Sequence, residues 1–168
     1  MVKGVVVDVQ LALDEGFSAY IPESEQIQWW VSAAIDAGYN LRKQEKIKQA
    51  QITVRIVEEL EISQLNKSFR HKIGATNVLS FPFAPPLGIP DDEVFNSLGD
   101  LVICATVVNR EANDQLKEYV AHWAHMIVHG TLHLLGYDHQ NNKEACEMES
   151  LEEEIMSMIG YPDPYNEV

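Results

Sequence analysis

The chain has 168 residues, 46% of them hydrophobic, enough for one domain with one sizeable core. Its 12 basic residues stand against 26 acidic ones, and a formal net charge of -14 argues against a general polyanion binder with a broad basic face. No apolar run approaches the roughly 18 residues of a membrane helix, the N-terminus is too short and too alternating for a secretory signal, and two cysteines, Cys104 and Cys146, suit buried thiols in a reducing cytosol better than a disulfide framework.

In chain order, Val5, Val7 and Val9 alternate with their neighbours and predict a first strand. Pro22 to Gly38 reads as a helix, with Ile27, Trp30, Val31, Ala34 and Ile35 at three- and four-residue steps, Pro22 near its start and Gly38 just past its end. Ile52, Val54 and Ile56 predict a second strand; Leu65 and Phe69 predict a short helix before Arg70. Val78 to Phe83 is strand-like, and Pro82 places it at an edge or a strand end. Ala84 to Asn96, rich in Pro, Gly and acids, reads as a long loop able to serve as a lid. Leu98 to Cys104 is a further strand. Ala105 to Leu135 has one Gly and no Pro and predicts one or two helices. Asn142 to Ile159 closes the chain as a helix with Met148, Leu151, Ile155 and Met158 on one stripe. The expected fold is α+β: one domain over residues 1–168, with a small mixed sheet packed against about five helices.

Five of the six histidines fall between His122 and His139. His129 and His133 are four apart, so on a helix they project from one face. Two imidazoles so placed can share one tetrahedral ion at about 2.0–2.1 Å each. Gly136 can take the left-handed conformation that ends a helix and turns the chain back, bringing His139 towards the same ion. Three protein ligands leave a position open for water, as in catalytic zinc sites. The apolar residues Ala121, Trp123, Ala124, Ile127, Val128, Leu132, Leu134 and Leu135 wrap most of this helix and predict that it is buried, so the metal site should lie at the end of a central buried helix. His125, His129 and His133 are also spaced by four, but one straight helix raises successive members by about 6 Å and cannot converge all three on one ion. His122 and His125 are therefore read as polar packing or supporting groups, and His71 as a surface residue. Metzincin proteases share the H-x3-H-x5-H spacing but place a Glu general base directly after the first His. Here that position is Gly130, which points away from proteolysis.

His129-Gly130-x-Leu-His133-Leu-x-Gly136-Tyr137-Asp138-His139 resembles the signature of the YbeY family of bacterial metal-dependent endoribonucleases. Leu65-Asn66 with Phe69-Arg70, Thr76 to Pro82, and Leu98 to Ile103 resemble further motifs of that family. The resemblance covers roughly residues 50 to 160, with the N-terminal third matching in layout only. It implies an α+β fold, metal ligands at His129, His133 and His139, and a catalytic or substrate-binding arginine at Arg70. It also implies one zinc ion per chain, ribosomal RNA as substrate, and the small ribosomal subunit and its proteins as partners. The implied role is single-strand-specific cleavage in ribosomal RNA maturation, at the 16S rRNA 3′ end, and in ribosome quality control, in the cytoplasm and away from membranes.

Residues 42–72 hold eight basic and four acidic residues, net +4, while the flanking stretches are all acidic. Arg42, Lys43, Lys46 and Lys48 read as a solvated loop and exposed faces; Lys67, Arg70 and Lys72 read as a phosphate-binding patch, because the planar guanidinium fork suits a phosphoryl oxyanion. Glu147, Glu149, Glu152, Glu153 and Glu154 read as one solvated face of the last helix. Asp138, beside His139, is expected to orient a histidine rather than to bind the ion. Two other readings share the histidines: a ribosome assembly factor with a mainly structural metal, and a metalloprotease.

Overall fold

The computed structural model describes residues 4–42, 49–84, 87–88 and 97–166. Four strands, β1 (Val5–Ala12), β2 (Ala50–Val57), β3 (Val78–Pro82) and β4 (Ser97–Cys104), form one mixed sheet in the order β1-β2-β4-β3. β1–β2 and β2–β4 are parallel and β3–β4 is antiparallel, so β3 with Pro82 is the edge strand the sequence predicts. The helices are α1 (Ser24–Arg42), α2 (Glu59–Arg70), α3 (Ala105–Asp114), α4 (Tyr119–Leu134) and α5 (Asn142–Met158). The fold is α+β; among the described residues it is a four-stranded mixed sheet with five helices.

Alternation along the strands divides the apolar residues between two faces. Ile52, Val54 and Ile56 of β2 with Leu101 and Ile103 of β4 join the main core under α1, α4 and α5. Val57, Leu79, Val102 and Cys104 point the other way and pack with Ile62 of α2. Helix α4 is the central element: twelve of its sixteen residues are buried.

Several local expectations change. Gly38 lies inside α1, not past its end, because a side chain there would meet Leu135 Cδ1 at 2.6 Å; glycine lets α1 approach the end of α4. The α3–α4 break falls at Gln115–Glu118, where Leu116 takes a φ of 54°, with neither Gly nor Pro to announce it. The predicted short helix before Arg70 is a full α2 of 12 residues. On α5, Met158 is 59% exposed and leaves the stripe, whereas Met156 and Glu152 are buried. Cys104 is buried but Cys146 is exposed, and both are free thiols. Arg55 is held by Glu61, with Nη2 to Oε1 at 2.8 Å, and is not a free cation. Lys43, Lys46, Lys48, the side chain of Arg42 and most of the Ala84–Asn96 loop lie outside the described residues. Among the described residues, no helix is long and apolar enough to cross a membrane.

Candidate metal centre

Helix α4 carries His129 and His133 on one face and then stops within one turn. Gly136 takes a φ of 93°, the left-handed conformation read from the sequence. Its N–H donates to the His133 carbonyl at 3.0 Å and the Tyr137 N–H to the Leu132 carbonyl at 3.1 Å, which satisfies two of the open carbonyls at the helix end. The Tyr137 hydroxyl donates to the Gly38 carbonyl at 2.8 Å and ties the returning chain to α1. The chain then delivers His139 back over the helix end. One nitrogen from each of His129, His133 and His139 lies within 4.8 Å of the others, a group able to hold a metal ion.

The proton positions follow from the outer partners of the two helical rings. His133 Nδ1 lies 2.9 Å from the Tyr137 carbonyl, which can only accept, so Nδ1 carries the proton and Nε2 is a bare lone pair. His129 Nδ1 lies 2.6 Å from Glu152 Oε1, so it donates to the carboxylate and its Nε2 is bare as well. The two Nε2 atoms face each other across 3.0 Å. Two acceptors so close suit a shared cation: nitrogens about 2.0–2.1 Å from one tetrahedral ion stand roughly 3.3 Å apart. Burial, reinforced by His129, holds the His133 imidazole neutral down to about 4, the state a ligand needs.

Glu152 joins the histidine cluster, a placement the spacing of residues did not reveal. It is fully buried on α5, not part of a solvated face, and its Oε1 also accepts from His125 Nε2 at 3.2 Å. Burial pushes its carboxyl up, but the hydrogen bonds from His125 and His129 outweigh this and bring it down to about 2. His125 is thus a supporting group, as expected, and burial lowers its own pKa. His122 is likewise buried and held by Glu111 at 3.1 Å. Asp138 accepts from the His139 backbone N–H at 2.8 Å, so it shapes the turn, while Glu152 and the Tyr137 carbonyl orient the rings. His71 caps α2 at the surface with a φ of 56°.

Gly130 faces the sheet. A Cβ there would stand 2.9 Å from Leu101 Cδ2 and 3.2 Å from Val78 Cγ2, and its carbonyl accepts from Ser80 Oγ at 3.1 Å. The position that holds a glutamate in metzincins is here a close helix–sheet contact with no room for one.

Arg70, at the end of α2, lines the same cleft of about 420 Å³ as His129, His133 and His139, with Asn77, Ser80 and Tyr137 among its other walls. Among the described residues Arg70 makes no ion pair. A larger cavity of about 600 Å³, between Val120, Met156 and Tyr161, includes none of the three converging histidines.

A family model described as Endoribonuclease YbeY matches residues 17–160 of this chain. The chain belongs to the YbeY family. The Endoribonuclease YbeY of Nitrosococcus oceani is 48% identical over 164 residues, which are 98% of this chain and 99% of that protein. The solution structure of TM1509 from Thermotoga maritima matches with a TM-score of 0.51 and 22% identity, covering 94% of this chain and 99% of that one, a likeness of fold. The YbeY match takes in both sides of the cleft, from Arg70 on α2 to His139 beyond α4. It also reaches into the N-terminal third, where the motifs read from the sequence carried no resemblance.

Proposed function

We propose that this YbeY-family chain is a single-domain, zinc-dependent endoribonuclease that cuts single-stranded RNA. Its substrate is ribosomal RNA in maturation, at the 16S rRNA 3′ end, and in ribosome quality control. It works in the cytoplasm, in company with the small ribosomal subunit and its proteins. The observation that carries this reading is the shared cleft: an arginine free of ion pairs among the described residues lines the same cleft as three converging histidines.

His129, His133 and His139 would hold the ion, a donor set that suits zinc. When bound, it supplies Lewis-acid stabilisation of phosphate charge and an activated water. The protein residues supply placement. Glu152 and the Tyr137 carbonyl keep the His129 and His133 lone pairs aimed inward. Arg70 presents its planar fork to a phosphate oxygen and stabilises charge that develops there. Lys67 and Lys72, exposed on either side of Arg70, extend the cationic edge along a backbone. A chain of net charge -14 with cations at one edge should bind RNA weakly and with strong salt sensitivity.

The test is cleavage of a structured ribosomal RNA fragment by purified protein, with His129→Ala and Arg70→Ala beside it. Loss of cleavage in both, with circular dichroism unchanged, supports the reading. Cleavage that persists in both folded variants overturns it.

A further inference from the structure

The segment after α5 returns to the metal centre. Tyr165 donates its hydroxyl to Glu152 Oε2 at 2.5 Å, and its ring packs edge-on against His125 with centroids 5.3 Å apart. The segment is fastened in the residues leading up to that contact. Lys117 Nζ donates to the Pro164 carbonyl at 2.7 Å, the Tyr165 N–H donates to Asp163 Oδ1 at 2.9 Å, and Tyr161 lies edge-on against Trp30.

Glu152 therefore has both oxygens occupied, Oε1 by His125 and His129 and Oε2 by Tyr165. A buried carboxylate with three donors is held in one orientation, since turning it would break all three bonds. His129 cannot take the other tautomer while Oε1 faces its Nδ1, because two acceptors would then meet. We propose that Glu152 and Tyr165 are positioning residues for the metal ligand His129: the C-terminal segment clamps Glu152, and Glu152 fixes the tautomer and the angle of the His129 ring. Burial and the Glu152 carboxylate both raise the Tyr165 pKa, which keeps the hydroxyl a donor. The same arrangement puts the proton of His125 on Nε2, so its Nδ1, buried without a partner among the described residues, is a bare acceptor.

The clamp lies far from Arg70 in the chain, and neither Glu152 nor Tyr165 is among the described residues that line the cleft shared by Arg70 and the three histidines. Its loss should change metal binding before anything else. Removing the outer partner of a ligating histidine typically costs about 10- to 100-fold in metal affinity, and loss of the single Tyr165 hydrogen bond corresponds to about fivefold.

The inference rests on the three-histidine site, so the experiment includes His129→Ala. Zinc affinity is measured by competition with a chromophoric chelator, and the cobalt-substituted proteins are compared by visible absorption. Glu152→Gln is expected to weaken zinc binding about 10- to 100-fold, and Tyr165→Phe about fivefold, each with an altered cobalt spectrum. A role confined to packing would lower the melting temperature and leave the affinity and spectrum of the folded protein unchanged, which would overturn the proposal. If Glu152→Gln fails to fold, Tyr165→Phe decides, because it removes only one hydroxyl from a partly exposed ring. If His129→Ala keeps wild-type zinc affinity, the metal site itself is wrong. If His129→Ala loses zinc while the other two variants bind normally, only the clamp is refuted.

Discussion

A Cβ built on Gly130 would stand 2.9 Å from Leu101 Cδ2, so helix α4 lies close on the sheet and a larger residue there would have to displace that side chain. The carbonyl of the same residue accepts from Ser80 Oγ, which fixes the face of α4 that carries His129 and His133 relative to β3. Leu101 is fully buried and cannot swing aside freely. Gly130→Ala should therefore lower the unfolding free energy by about 1 kcal/mol, because overpacking of about 2 kcal/mol exceeds the gain of about 1 kcal/mol in helix propensity. Urea denaturation at pH 7 measures the difference. A variant more stable than wild type would contradict the close contact. Gly130→Glu should be worse and should bring no peptidase activity, since its carboxylate would enter the core.

Metal removal should loosen the protein through the same helix end. A ligand that binds only the folded state at 100 times its Kd adds about 2.7 kcal/mol. For a chain of this size that is roughly 5–10 °C in Tm. A chelator should lower the Tm of wild type by that amount and leave His133→Ala unmoved. Equal responses from the two proteins would place the ion elsewhere.

Arg70 separates charge from geometry. Arg70→Ala should slow single-turnover RNA cleavage by about 10²- to 10³-fold, the scale for loss of one preorganised donor to developing charge. Arg70→Lys keeps the charge but loses the planar fork, so it should recover only part of the rate. Zinc affinity should be unchanged in both, because Arg70 is not among the converging ligands. Full activity in Arg70→Lys would reduce its role to simple electrostatic attraction.

Glu111 should contribute to acid lability. Burial alone would raise its carboxyl, but hydrogen bonds from His122 and Asn77 outweigh burial and lower it below the usual carboxylate range. A group with a folded pKa below its unfolded value contributes stability above the unfolded value. That contribution is lost as pH falls through the lower folded value. Glu111→Gln should thus cost about 1 kcal/mol at pH 7 and show a shallower loss of stability as pH falls through and below the usual carboxylate range. Parallel stability–pH curves for the two proteins would show that the carboxylate is not the titrating group.

The legible part of the site is its local part. His129 and His133 share a face because of the helical repeat, and Gly136 ends the helix because it alone accepts a φ of 93° without strain. Both facts act within eleven residues, so spacing reveals them. The buried character of α4 was legible for a similar reason: apolar residues on nearly every side leave no face for water.

Glu152 was not legible, because it meets His129 across 23 residues and sits on a helix whose other acids face water. Spacing cannot say which carboxylate on such a helix turns inward; only the packing of α5 against α4 selects it. Gly38 misled for the same reason, since its role comes from Leu135 and Tyr137 at the far end of another helix. The amino-acid sequence by itself determined the candidate histidines, the helical face that His129 and His133 share and the turn that brings His139 back, because these depend on backbone geometry over a few residues. Tertiary packing alone decided which tautomers those histidines hold, which acid supports them and that Arg70 stands across the same cleft, because each depends on side chains brought together from separate elements.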